Sequence, residues 1–110
     1  MGYLGEFEQL ILFAVIKLGD EAYGGALRET IEARTGRVVS SGAINTTLGR
    51  LAQRKLVQAS ASEPVSGRAG RPRKYYRVTP AGARALRDSH ATLQAIAGGL
   101  VPAVGALIPQ

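Results

Sequence analysis

"KYYRVTPAGARAL", Lys74 to Leu86, changes its period halfway along. In Lys74–Val78 the side chains alternate: Tyr76 and Val78 share one face, Tyr75 and Arg77 the other. That is the period of a strand. Tyr76 is expected to anchor in the core with Val78, and Tyr75 to be exposed. Thr79-Pro80 follows at once and predicts a helix start, because threonine offers a capping oxygen and proline suits the first helical position. The helix is expected to run from Pro80 to about Ala97. Gly98-Gly99 then ends or bends it, at about 1 kcal/mol per glycine relative to alanine. Leu86, Leu93 and Leu100 recur every seven residues along it and suggest a seam for a second helix.

Upstream lies "EPVSGRAGRP", a loop by its glycine, proline and serine content. Arg68, Arg71, Arg73, Lys74 and Arg77 put five positive charges into ten residues there, with no acid among them. Before the loop, "LVQASAS", Leu56 to Ser62, reads as the first strand of a hairpin.

"VVSSGAINTTLGRLAQRKLV", Val38 to Val57, holds the third helix of the chain. Val38-Val39 suggests a brief strand. Ser40 or Ser41 supplies an N-cap, and the helix is expected over about Ser41 to Arg54. Ile44, Leu48 and Leu51 form its inward stripe. The opposite surface carries Ala43, Asn45, Thr46, Thr47 and Arg50, small or polar groups of the sort that read base edges.

Two helices precede it. "FEQLILFAVIKLG" is expected to be helical over about Leu4 to Leu18. Phe7, Leu10, Ile11, Ala14 and Leu18 make a stripe, and Leu12, Phe13, Val15 and Ile16 are apolar too. A helix apolar almost all round is buried on several sides, so a subunit interface is expected. "DEAYGGALRETIEARTG" reads as a turn and a helix over about Gly24 to Arg34. Tyr23 packs at its entrance, Leu27 and Ile31 face inward, and Gly36 closes it. The fold class is therefore mainly α with a small β-hairpin. Residues 1–79 are expected to form the binding unit, and 80–110 a long helix and apolar tail on the same compact unit.

Composition narrows the function. The 110 residues carry a net charge of +6, with a pI near 10.3, which suggests a polyanionic partner. The charge is unevenly distributed. Residues 1–33 hold six acids and two bases, whereas 34–87 hold twelve bases and one acid, Glu63. Most of those bases are arginine, which makes bidentate phosphate and guanine contacts. Ser41, Asn45, Thr46 and Arg50 suit the major groove, and Arg68, Arg71, Arg73 and Lys74 suit phosphates or the minor groove. Cysteine is absent, which excludes disulfides and thiol catalysis. No nucleophile–base–acid set appears, and the lone His90 is more simply structural than a metal ligand. No secretion pattern is present, and the longest apolar run near the N-terminus, Leu10–Ile16, is seven residues against about 20 for a bilayer span. A cytoplasmic protein without enzymatic activity, metal or cofactor is expected.

Three helices, a strand, a basic loop, a strand and a long helix make the winged helix-turn-helix order. At this point the chain resembles the PadR-like transcriptional regulators. "AYGGALRETIEARTG", "VVSSGAINTTLGRLAQRKLV" and "GRPRKYYRVTPAGARAL" match the family's pattern, and the resemblance covers about residues 4–87. Two positions depart from it. Asn45 stands where many members carry tyrosine, and it suits adenine instead. Lys55 stands where a glycine usually ends the third helix, leaving that end less sharply defined.

The resemblance implies a homodimer that binds double-stranded DNA sequence-specifically, usually as a repressor. Helix 41–54 would enter the major groove, and the wing, 61–77, would lie on the backbone or minor groove. The DNA-binding set is then Ser40, Ser41, Ala43, Asn45, Thr46, Thr47, Arg50, Arg68, Arg71, Arg73, Lys74 and Tyr75. The short form, without the family's larger C-terminal domain, implies that the long helix packs on Leu4–Leu18 of a second copy. Phe7, Leu10, Phe13, Ala14, Leu86, Leu93 and Leu100 are the candidate dimer residues. A small hydrophobic effector at the dimer centre is also implied, although a filled core is the simpler reading. The alternatives are a nonspecific nucleoid-type protein and a winged-helix protein-interaction module.

Overall fold

The computed structural model describes residues 3–61 and 73–110. Helix α1 spans Glu6–Leu18, and a short 3-10 turn, Gly19–Glu21, leads to α2, Gly24–Thr35. Helix α3 is Ser41–Gln53. Strands β1, Val57–Ala61, and β2, Lys74–Val78, pair antiparallel, with Val57 opposite Val78 and Ala61 opposite Lys74. Helix α4 is Pro80–Ala97 and a short α5 is Val101–Ala106. The expected Val38-Val39 strand does not form: Val39 is buried, whereas Val38 is 88% exposed.

The core follows the stripes. Ile11 and Leu12 of α1, Leu27 of α2, and Ile44, Leu48 and Leu51 of α3 are fully buried together. Tyr76 and Val78 pack against this core from β2, as their shared face predicts. Helix α1 is buried on one side only: Phe13 and Ile16 stay exposed. The N-terminus is tied to α4 by a buried hydrogen bond of 3.0 Å from the Leu4 N–H to Ser89 Oγ.

The end of α3 is sharply made despite lacking glycine. Lys55 takes the left-handed conformation, with φ 60°. Its N–H donates to the Ala52 carbonyl at 3.0 Å and the Leu56 N–H to the Leu51 carbonyl at 2.9 Å. These two bonds form a Schellman close, which normally uses glycine at this position. A side chain there costs roughly 1–2 kcal/mol, offset partly by glycine's greater loss of freedom on folding. Lys55→Gly is therefore expected to stabilise the protein by about 0.5–1 kcal/mol, read as a higher denaturation midpoint with an unchanged m-value.

Thr79 joins the end of α3 to the start of α4. Its N–H donates to the Leu56 carbonyl at 3.0 Å, its hydroxyl donates to the Lys55 carbonyl at 2.7 Å, and that same oxygen caps the Gly82 N–H at 3.0 Å. Helix α4 buries Gly82, Leu86 and Ser89 and then leaves the body. Beyond Ser89 every residue but Ala97 is exposed, including Leu93, Ile96, Leu100, Val101 and Leu107. The apolar tail is thus an exposed arm rather than part of the protomer's core.

Candidate nucleic-acid interface

Helix α3 has two faces. Ile44, Thr47, Leu48 and Leu51 point inward, while Ser41, Ala43, Asn45, Thr46 and Arg50 are exposed. Thr47 is a correction to the outward surface read from the sequence. It lies three residues after Ile44 and four before Leu51, so the helical period carries it into the core. Its small branched side chain fits there, and among the described residues no buried side-chain polar atom lacks a hydrogen-bond partner. Ser40 is the N-cap: its hydroxyl accepts from the Ala43 N–H at 3.0 Å. Ser40→Ala should cost about 1 kcal/mol of stability, a shift visible in thermal unfolding without DNA. Ser41 Oγ accepts a long bond of 3.5 Å from Arg28.

The charge asymmetry of the sequence is partly paired off in space. Arg37 meets Glu6 at 2.7 Å, Arg54 meets Glu8 at 3.4 Å and Arg28 meets Glu32 at 3.4 Å. These are exposed or half-exposed pairs, of modest stabilising value. The acids of α1 and α2 thus pair with Arg28, Arg37 and Arg54. Among the described residues, Arg50 and Lys74 make no ion pair. Arg77 is held by its cross-strand neighbour Gln58 at 3.1 Å.

The root of the hairpin comes next to α3. Tyr23, Gly24, Asn45, Gly49, Arg73, Lys74 and Tyr76 line one open notch of about 410 Å³. Residues 22 and 23 join the sheet edge: the Tyr76 N–H donates to the Ala22 carbonyl at 2.9 Å, and Tyr23 bridges Tyr75. Tyr23 and Tyr75 meet edge to face, with ring centroids 5.7 Å apart. Tyr75 is therefore half-buried rather than exposed as strand alternation predicts. The alternation is kept, but a neighbour outside the hairpin covers that face. The Arg73 guanidinium lies 4.2 Å over the centre of the Tyr23 ring. A side-chain hydrogen bond with Tyr75 is the main cause pushing Arg73 above its ordinary value. Burial pushes the Tyr76 phenol up as well. That group favours the folded state while protonated, and its contribution is lost as pH rises past the ordinary tyrosine range. Arg68 and Arg71 lie outside the described residues.

The dimer candidates divide. Ala14 and Leu86 are buried inside their own protomer and leave that set, because the stripes of α1 and α4 meet there first. Phe7 packs partly against the same core. Leu10 is half-buried, and Phe13, Leu93 and Leu100 are exposed. Phe13 meets His90 edge to face at 5.7 Å. Among the described residues there is no cluster of three potential metal ligands, and no helix is long and apolar enough to cross a membrane.

Several solved structures share this arrangement. A regulator from Thermoplasma acidophilum, TA0346, is similar with a TM-score of 0.70 at 22% identity, over 91% of this chain and 93% of that one. A PadR family transcriptional regulator from Eggerthella lenta is 26% identical with a TM-score of 0.67, over 90% of this chain and 86% of its own. F93 from STIV, a winged-helix DNA-binding protein, has a TM-score of 0.67 at 19% identity, over 89% of this chain and 98% of its own. No curated protein sequence matches the chain. The sequence profile of the transcriptional regulator PadR-like family matches residues 12–88, which run from α1 through both strands and into α4. The hairpin is therefore the wing of a winged helix, and the chain belongs to the PadR-like family of transcriptional regulators.

Proposed function

We propose that this regulator is a homodimeric, sequence-specific repressor that places α3 in the major groove of double-stranded DNA and its wing on the backbone or minor groove. The observation that carries this reading is the composition of the outward face of α3. Asn45, Thr46 and Arg50 are exposed on a helix whose opposite stripe is buried, and Arg73 and Lys74 share a notch with Asn45 at the wing root. Asparagine pairs with adenine and arginine with guanine or phosphate. Ser41 and Ala43 complete the readout surface, and Arg68 and Arg71 add wing charge.

The dimer reading rests on the arm. Leu93 is 62% exposed, Ile96 77% and Leu107 83%, large apolar side chains that a second copy would cover. It packs on Leu10 and Phe13 of a second copy. A small hydrophobic effector would act at that junction by changing how two arms meet.

Selection of bound sequences from a random double-stranded DNA pool at moderate salt tests the reading. Enrichment of a palindrome with half-sites about one helical turn apart is expected for a dimer. Binding without enrichment would instead make this a nonspecific nucleic-acid binder. Absence of DNA binding at low salt would leave a protein-interaction module.

A further inference from the structure

We infer that Tyr23, at the entrance to α2, is a positioning residue for DNA binding: its ring is the platform that aims Arg73 at the phosphates beside α3. The inference rests on the DNA-binding reading above and deepens it.

Tyr23 is not in the recognition helix or the wing, yet three contacts tie it to the wing root beside that helix. Its backbone bridges Tyr75, its ring meets the Tyr75 ring edge to face, and the Arg73 guanidinium covers its exposed face at 4.2 Å. Gly25 leaves room for this, since a side-chain carbon there would lie 3.1 Å from the Tyr23 ring, and Gly24 lies beside Asn45, where an added carbon would be in ordinary contact with Oδ1 at 3.5 Å. Tyr23, Asn45, Arg73 and Lys74 consequently share one notch. An arginine on a wing is a long, rotamer-rich side chain, and ordering it on binding costs conformational entropy. Stacking it beforehand on a ring that is itself clamped removes part of that loss. A planar guanidinium can stack and still present its edge to a phosphate, which an ammonium cannot.

Affinity for the selected DNA site, measured with the full-length protein over a salt series, tests this. Tyr23→Phe keeps the ring and should bind like the parent. Tyr23→Leu keeps bulk but not the π face and should weaken binding about 2–5-fold per site. Arg73→Lys, a surface change that leaves the fold alone, should weaken it similarly with an unchanged salt slope. In an Arg73→Ala background, Tyr23→Leu should have no further effect. An equal loss in that background would mean that Tyr23 acts otherwise and overturn the inference, as would parental binding by Tyr23→Leu or Arg73→Lys. Should Tyr23→Leu fail to fold, Arg73→Lys decides alone. Failure of the parent itself to bind DNA would count against the DNA-binding reading, a separate result from parental affinity in the variants.

Discussion

Gly82→Ala is expected to destabilise the protein by about 2–3 kcal/mol and to lower Tm by roughly 10–20 °C. Gly82 lies in the first turn of α4, where helical backbone geometry would suit alanine better than glycine. The obstacle is the end of α3. A side-chain carbon at position 82 would collide with the Leu56 carbonyl oxygen, and it would come within 2.9 Å of both the Leu56 carbonyl carbon and Val78 Cγ1. The Leu56 carbonyl cannot swing aside cheaply, because it accepts the Thr79 N–H. Nor can α4 lift away, since the Thr79 hydroxyl bonds the Lys55 carbonyl and caps Gly82 at the same time. Gly49→Ala is the control. Nothing lies within 4 Å of the added carbon there, and the change in a helix interior should stabilise by about 0.5–1 kcal/mol. Chemical denaturation of the two variants should thus move in opposite directions. A Gly82→Ala protein that melts within about 2 °C of the parent would mean that α4 is not docked this closely.

Local patterns made most of the fold legible. The period of two in Lys74–Val78 and the threonine-proline start after it match β2 and α4 to the residue. The α3 stripe was legible as well, apart from Thr47, whose polarity masks a position that the helical period places inside. What could not be read locally is what depends on a neighbour distant in sequence. The covering of Tyr75 by Tyr23 spans more than fifty residues, and no periodicity announces it. The need for glycine at 82 arises from the Leu56 carbonyl, and the left-handed turn at Lys55 from a Schellman close that a lysine does not advertise. Ala14 and Leu86 show the same limit from the other side. A heptad or a stripe says that a residue is buried, but not whether its own protomer or a second copy buries it.

Removing wing charge and removing the α3 side chain proposed to read bases should weaken DNA binding in two different ways. If a dimer neutralises about 6–10 phosphates, its affinity should fall roughly 10³–10⁵-fold between 50 and 200 mM salt. Arg71→Ala with Arg73→Ala deletes two cations per protomer and four per dimer. Each phosphate that is no longer neutralised should flatten the logarithmic salt slope by about 1, so the loss of affinity across that salt range should shrink by about 10²-fold. All DNA sequences should be affected alike, because phosphates carry no sequence. Asn45→Ala removes a neutral carboxamide, which displaces no counterion, so the slope should stay as it was. Preference should instead relax at one base position in each half-site, by about 1–3 kcal/mol. The two sites are close enough to interact, since Asn45 and Arg73 line the same notch. Combining the three substitutions should therefore depart from additivity. The departure should appear in affinity rather than in the salt slope, because only the arginines displace ions. Identical slopes and identical base preferences in the two variants would contradict a division of labour between α3 and the wing.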